Sequence, residues 1–129
     1  MKPEELNSIL QKGILAPSAD NMQPWKFRVH GEAVDLHLSF HADRHFCEIG
    51  LKFLYASMGG VIENIRVAAL SNGYKATPLY FPNREDPTFV AQIRFERASR
   101  QGHPHYSVLD QRVTNRKFYF SGRLIEHGV

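Results

Sequence analysis

The chain has 129 residues, 43% of them hydrophobic, enough for one domain around a single buried core. Its formal charge of +3 and pI near 9.2 are too mild for a nucleic-acid binder, which concentrates a basic face with stacking aromatics and a readable motif. A lone cysteine, Cys47, rules out an internal disulfide, no run of about 18 apolar residues is long enough to cross a membrane, and MKPEELNSIL does not read as a signal peptide, so a cytoplasmic protein is expected.

Pro3 followed by Glu4 and Glu5 marks a helix start, because proline fits the first turn and carboxylates suit its positive end. Leu6, Ile9 and Leu10 give that helix an apolar side, Gly13 weakens its end, and residues 16–21 read as a loop. Two alternating runs follow. Trp25, Phe27 and Val29 oppose Lys26, Arg28 and His30; after a turn at Gly31-Glu32, the residues Val34, Leu36, Leu38 and Phe40 repeat the pattern, which predicts a hairpin with one buried face.

Residues from Phe46 to Asn72 form the longest periodic segment. On a helix, Glu48, Lys52, Glu63 and Arg66 fall within an arc of roughly 60°, and most of the remaining surface is apolar. So thin a polar stripe predicts a long helix covered by its own sheet and by a second subunit or domain. Gly59-Gly60 costs roughly 1–2 kcal/mol of helicity, a cost usually offset by close approach of another backbone or a ligand, and Asn72-Gly73 ends the helix. Lys75–Phe81 reads as a strand, 82–87 as a turn, and Thr88–Glu96 as a strand with Phe89, Ala91, Ile93 and Phe95 inside. A polar loop and a short helical stretch, Val108–Arg112, complete an α+β class: a small, mostly antiparallel sheet packed on a long central helix.

The charge is unevenly spread. Residues 92–125 carry seven Arg or Lys against Glu96 and Asp110, a net of +5, leaving −2 elsewhere. Such a cluster suits a single anionic group, or it is a solvated basic face. His37, His41 and His45 are spaced at four, but His37 belongs to a strand and the others to a connection, so no metal site is expected. Cys47, next but one to His45, reads as a small apolar residue heading the helix rather than a nucleophile.

Three segments carry a resemblance. Ala16-Pro17-Ser18-Ala19-Asp20-Asn21-Met22-Gln23-Pro24-Trp25-Lys26-Phe27 resembles the APS-x-x-N-x-QPW-x-F signature of the FMN-dependent nitroreductase family, nearly complete over about a dozen residues. Residues 57–69, followed by Gly73-Tyr74, are similar to that family's long interface helix. Arg112-Val113-Thr114-Asn115-Arg116 resembles its R-x-[S/T]-x-R flavin-phosphate motif. In single-domain members the arginine motif precedes the APS loop; here it comes last, an order similar to the tandem, Acg-type and ThiF-associated branch. The resemblance therefore implies a nitroreductase-like half-domain over 1–100 and the start of a second half over 101–129, incomplete relative to a full family domain.

The resemblance implies FMN as cofactor and NAD(P)H as electron donor, in a ping-pong reaction that ends on an unidentified electron-poor small molecule. Pro17, Ser18, Asn21 and Gln23 would touch the flavin, or Ser18 and Asn21 merely cap the turn. Arg112, Thr114 and Arg116 would hold the phosphate; on one helical turn two arginines four apart project from one face, and their forks suit phosphate oxygens. No catalytic acid, base or nucleophile stands out, as expected where a cofactor carries the chemistry. The partner implied is a second copy or a missing C-terminal half, with the interface around Gly59-Gly60. The alternatives are a non-catalytic half-domain offering a flavin-contacting or docking surface, or a flavin-storage module.

Overall fold

A computed structural model of the chain describes residues 1–39 and 50–114. Helix α1 (Pro3–Gly13) begins as its sequence dictates, with Pro3 in the first turn and the Glu5 carboxylate reaching back 2.9 Å to the Lys2 N–H. Strands β1 (Trp25–His30) and β2 (Ala33–Leu38) form a hairpin around Gly31, which adopts φ +57°. Helix α2 (Gly50–Ser71) follows, then β3 (Tyr74–Tyr80) and β4 (Phe89–Arg97). The expected helix start at Phe46, with Cys47 and Glu48, lies outside the described residues.

The four strands form one antiparallel sheet in the order β1-β2-β4-β3, so the α+β class holds. Val34, Leu36, Leu38, Ala91, Ile93 and Phe95 point inward to meet Met58, Val61, Ile62 and Ile65 of α2 and Ile9 of α1, all buried. Each large side chain so buried contributes about 1.5–3 kcal/mol. On β1, Trp25 and Phe27 are half-buried but Val29 is 53% exposed, because β1 is an edge strand and the buried face fades toward the hairpin turn.

One expected inward residue is not inside. The β2–β4 register slips between Leu36 and His37, so that His37 pairs with Phe89 while Val90 is skipped. This bulge turns Val90 into the core, 4% exposed, and stacks the Phe89 ring on His37 with centroids 4.6 Å apart. A one-residue slip sends side chains to the opposite face.

Helix α2 ends where expected. Asn72 donates its side-chain amide to Ala68 O at 2.8 Å, and Gly73 takes φ +80°. The exposed residues Lys52, Ala56, Gly59, Glu63 and Arg66 recur at three- and four-residue spacing and form one stripe, with Phe53 beside it at 55% exposure. Lys52 opens the stripe, Ala56 and Gly59 leave its middle small, and Glu63 and Arg66 make its far end charged.

Helices α1 and α2 touch at Gly13. A Cβ there would lie 2.7 Å from the Cγ1 of Ile65, which is fully buried. Gly13→Ala should destabilise the fold by about 1–3 kcal/mol through overpacking, and Ile65→Ala by about 2–5 kcal/mol through a cavity. Chemical denaturation of the double variant should show a loss clearly smaller than the sum, because each change relieves the other; strict additivity would place the steric conflict elsewhere.

A second tie joins α1 to β3, where the Tyr74 hydroxyl donates to the Glu5 carboxylate at 2.7 Å. The Lys2 N–H first, and then Tyr74, hold the Glu5 carboxyl below its ordinary value. A carboxyl lowered in the folded state contributes stability that is present above the unfolded pKa and is lost as pH falls through the folded one. Tyr74→Phe should therefore raise the Glu5 titration followed by NMR and flatten the loss of stability below about pH 4.5. An unchanged Glu5 titration would mean that the hydroxyl does not stabilise the carboxylate.

Candidate functional site

The loop after α1 is built by close approach. Leu15 and Ala16 continue the chain in tight turns, with the Leu15 N–H on Lys12 O and the Ala16 N–H on Gly13 O. Ala16 is buried, and it and Pro17 lie against Gly60 of α2: a Cβ on Gly60 would be 3.5 Å from the Ala16 Cβ and 3.7 Å from the Pro17 Cδ. The expected close approach at the glycine pair is thus met at Gly60 by this same chain, whereas Gly59 faces open space.

The loop then takes an unusual path. Asp20, Asn21 and Gln23 all have positive φ, at 47°, 59° and 49°. Asn and Asp tolerate this region better than other residues with a Cβ, but Gln has no such compensation. Left-handed non-glycine residues cost on the order of 1–3 kcal/mol each and cluster where a surface contacts ligands. The Asn21 and Met22 N–H groups are spent on Ser18 O and Ala19 O, and the Gln23 N–H donates 3.0 Å to the Ser18 hydroxyl. Ser18 therefore does close the turn. Gln23 also reaches Asn21 Oδ1 at 3.5 Å. Among the described residues, the N–H groups of Ser18, Ala19 and Asp20 meet no acceptor.

Pro17, Ser18 and Ala19 line one side of a shallow groove of about 210 Å³, and Phe53, Ala56 and Ser57 of α2 line the other. The arginine motif meets this region at its root. Arg112 donates from Nε to Leu15 O at 3.1 Å and from a terminal nitrogen to Thr114 Oγ1 at 3.0 Å. Two segments almost a hundred residues apart are thereby brought together. The expected helical turn is not found at Arg112: the preceding stretch is a 3-10 helix, Tyr106–Gln111, and Arg112 leaves it extended at ψ 128°. Arg116, the other arginine of the expected pair, lies outside the described residues.

Sequence reasoning missed what fastens the arginine segment. Lys12 bonds both carboxylate oxygens of Asp110, at 2.6 and 2.5 Å, a pairing that no local pattern announces. Phe53, on the groove's far wall, was equally hidden among the apolar residues of α2. Among the described residues, the groups whose titration is shifted, Glu5, Tyr74 and Asp86, belong to other parts of the fold. No group of three metal-ligating side chains occurs among the described residues; His41, His45 and Cys47 lie outside them. No helix among those residues is long and apolar enough to cross a membrane.

A four-stranded antiparallel sheet on a long helix defines an α+β protein with a strained loop poised over its central helix. No family model matches the chain. It is 30% identical over 100 residues to Acg of Mycobacterium tuberculosis, provisionally named an NAD(P)H nitroreductase, a match covering 76% of this chain. The chain spans only 30% of the length of that relative. Among solved structures, it superposes on a provisional nitroreductase of Desulfovibrio desulfuricans, solved in complex with FMN, with TM-score 0.62 and 18% identity, covering 92% of this chain and 87% of that one. A Bacteroides thetaiotaomicron protein provisionally named an NADH dehydrogenase/NAD(P)H nitroreductase gives TM-score 0.61 and 16% identity, covering 98% and 86%. The chain therefore has the nitroreductase-like fold, and its sequence is similar to that family over 100 residues.

Proposed function

We propose that the chain forms part of an FMN-dependent oxidoreductase that takes electrons from NAD(P)H and delivers them to an electron-poor small molecule. The observation that carries this reading is the strained 18–23 loop, matching the family signature, with the arginine motif fastened at its root through Leu15 O. The donor set fits a flavin. The loop offers the unspent N–H groups of Ser18, Ala19 and Asp20, and Arg112 has five guanidinium N–H donors, of which two are engaged. FMN, when bound, supplies the hydride and electron chemistry. Pro17, Ser18, Asn21 and Gln23 shape the surface that orients its ring, and Arg112, Thr114 and Arg116 supply charge and donors for its phosphate.

The groove is small for a complete site. Ligand pockets usually enclose about 300–1,000 Å³, against about 210 Å³ here. That supports a flavin held between this segment and a second copy or a C-terminal half, with 1–100 as the first half-domain and 101–129 opening the next. The same observation favours a second reading, a non-catalytic half that presents its loop to a partner. A yellow preparation that turns over NAD(P)H supports the first reading, and a colourless one the second.

The phosphate role is separable from the ring role. In an assembly that binds FMN, Arg116→Ala should weaken FMN by roughly 10–150-fold, the loss of charge-assisted bonds worth about 1.5–3 kcal/mol, while riboflavin binding stays unchanged. Equal losses for both would assign Arg116 to the ring or the fold.

The partner is most simply a second copy seated on Phe53, Ala56 and Gly59, the small and apolar patch between Lys52 and Glu63 on the exposed face of α2. Gly59→Leu should then shift light scattering from dimer toward monomer, whereas Gly60 is unsuited to the test because its Cβ position faces the loop of its own chain. A monomer at high concentration in the unmodified protein would overturn the homodimer.

A further inference from the structure

The segment after β4 runs back along the helical layer and is fastened twice. At the end of α2, the Ala98 N–H donates to Gly73 O at 2.9 Å, Arg100 Nε to Ser71 O at 2.7 Å, and the Gln101 N–H to Leu70 O at 3.3 Å. At the end of α1, Tyr106 packs against the core, Lys12 bonds both oxygens of Asp110 with its ammonium 5.7 Å from the Tyr106 ring centroid, and Arg112 donates to Leu15 O. Lys12 is held from a third side, since its carbonyl accepts the Asn64 side-chain amide at 3.3 Å.

The residues gripped, Lys12 and Leu15, stand immediately before the 16–23 loop. That loop contains three left-handed residues that are not glycine, and the Ser18 hydroxyl accepts the Gln23 N–H within it. Strained backbone persists only where its surroundings over-determine it. The second fastening supplies such constraint at the point where the loop leaves α1.

We propose that Asp110, acting through Lys12, is a positioning residue for the 16–23 loop, and that the 98–112 segment is a strap whose fastening at the end of α1 combines the Lys12–Asp110 pair with the Arg112–Leu15 carbonyl bond. The strap holds Leu15 and Ala16 against α2, and the loop keeps its left-handed path because its first residues cannot retreat. Its consequence for cofactor binding rests on the flavin reading given above; the mechanics do not.

Hydrogen exchange of the full chain tests the strap without any flavin. The amides of Met22 and Gln23, both bonded inside the turn, report on the loop, and those of Ile65 and Ala68 on α2. Asp110→Asn should speed exchange at Met22 and Gln23 by about two- to fivefold, the range for one partly exposed ion pair. Adding Arg112→Ala should raise this to roughly tenfold or more, with α2 unchanged. Asp110→Glu, which keeps the carboxylate, should restore most of the protection, as a general loss of stability would not. Loop exchange that stays at the unmodified rate in the double variant, or acceleration spread equally over α2, overturns the strap. FMN titration is read separately: failure of the unmodified assembly to bind FMN removes the flavin reading, and the exchange rates still decide the strap.

Discussion

The contact between Gly13 and Ile65 is the constraint on which the rest of the site depends. With no Cβ at Gly13, α1 ends directly on the buried face of α2. Asn64, one residue before Ile65, bonds the carbonyl of Lys12 just before the glycine. Helix α1 is thereby stopped and fixed in one place, and the chain must turn within three residues. Everything that follows, the burial of Ala16, the approach of Pro17 to Gly60 and the left-handed run beyond, starts from that fixed end.

A loop started so abruptly has little freedom to relax. Three residues at positive φ, at on the order of 1–3 kcal/mol each, cost as much as several buried side chains contribute, and a free loop would escape by rotating its peptide units. Here both ends are anchored. Ala16 is buried at one end; at the other, Trp25 enters the sheet opposite Leu38 and Pro24 O accepts the Ser39 N–H at 2.7 Å. The loop's N–H groups divide accordingly: those of Asn21, Met22 and Gln23 are bonded within the turn, and those of Ser18, Ala19 and Asp20 meet no acceptor among the described residues. A surface of unspent donors on a fixed backbone suits binding, because the entropy of ordering it has already been lost on folding.

Much of this was legible in the sequence, and the physical reasons differ by element. The helices and strands follow from periodicity: Leu6 and Ile9 on α1, the Val34-Leu36-Leu38 alternation on β2, and the thin polar stripe of α2 each admit one burial pattern. The helix stop at Asn72-Gly73 follows from the glycine's φ. Phe89 was misjudged because a bulge depends on how two strands 50 residues apart align, and neither strand alone reveals it. The 3-10 helix at Tyr106–Gln111 is short and is set by what Tyr106 and Asp110 touch on α1, so local spacing gave the wrong geometry for Arg112. In the loop, composition announced a turn and the signature announced its identity, but its left-handed path is visible only once both anchors are in place.

The openness of the groove has the same origin as the loop's rigidity. The loop and α2 meet along a line, so between them they can form a groove but not an enclosure, and the groove's far wall is Phe53, left 55% exposed. A large apolar side chain beside a row of small residues is costly on a solvated helix, and covering it stabilises by about 25 cal/mol for each Å² removed from water. Whatever covers Phe53, Ala56 and Gly59 also closes the groove over Pro17 and Ser18, since the two surfaces share that wall. Under the proposed function, association and ligand enclosure would therefore be one event in this geometry. A partner seated on Phe53, Ala56 and Gly59 would gain affinity from that apolar patch, and the same seating would exclude water from the loop's donors, where each hydrogen bond to a bound anion or ring becomes stronger than it is in open solvent.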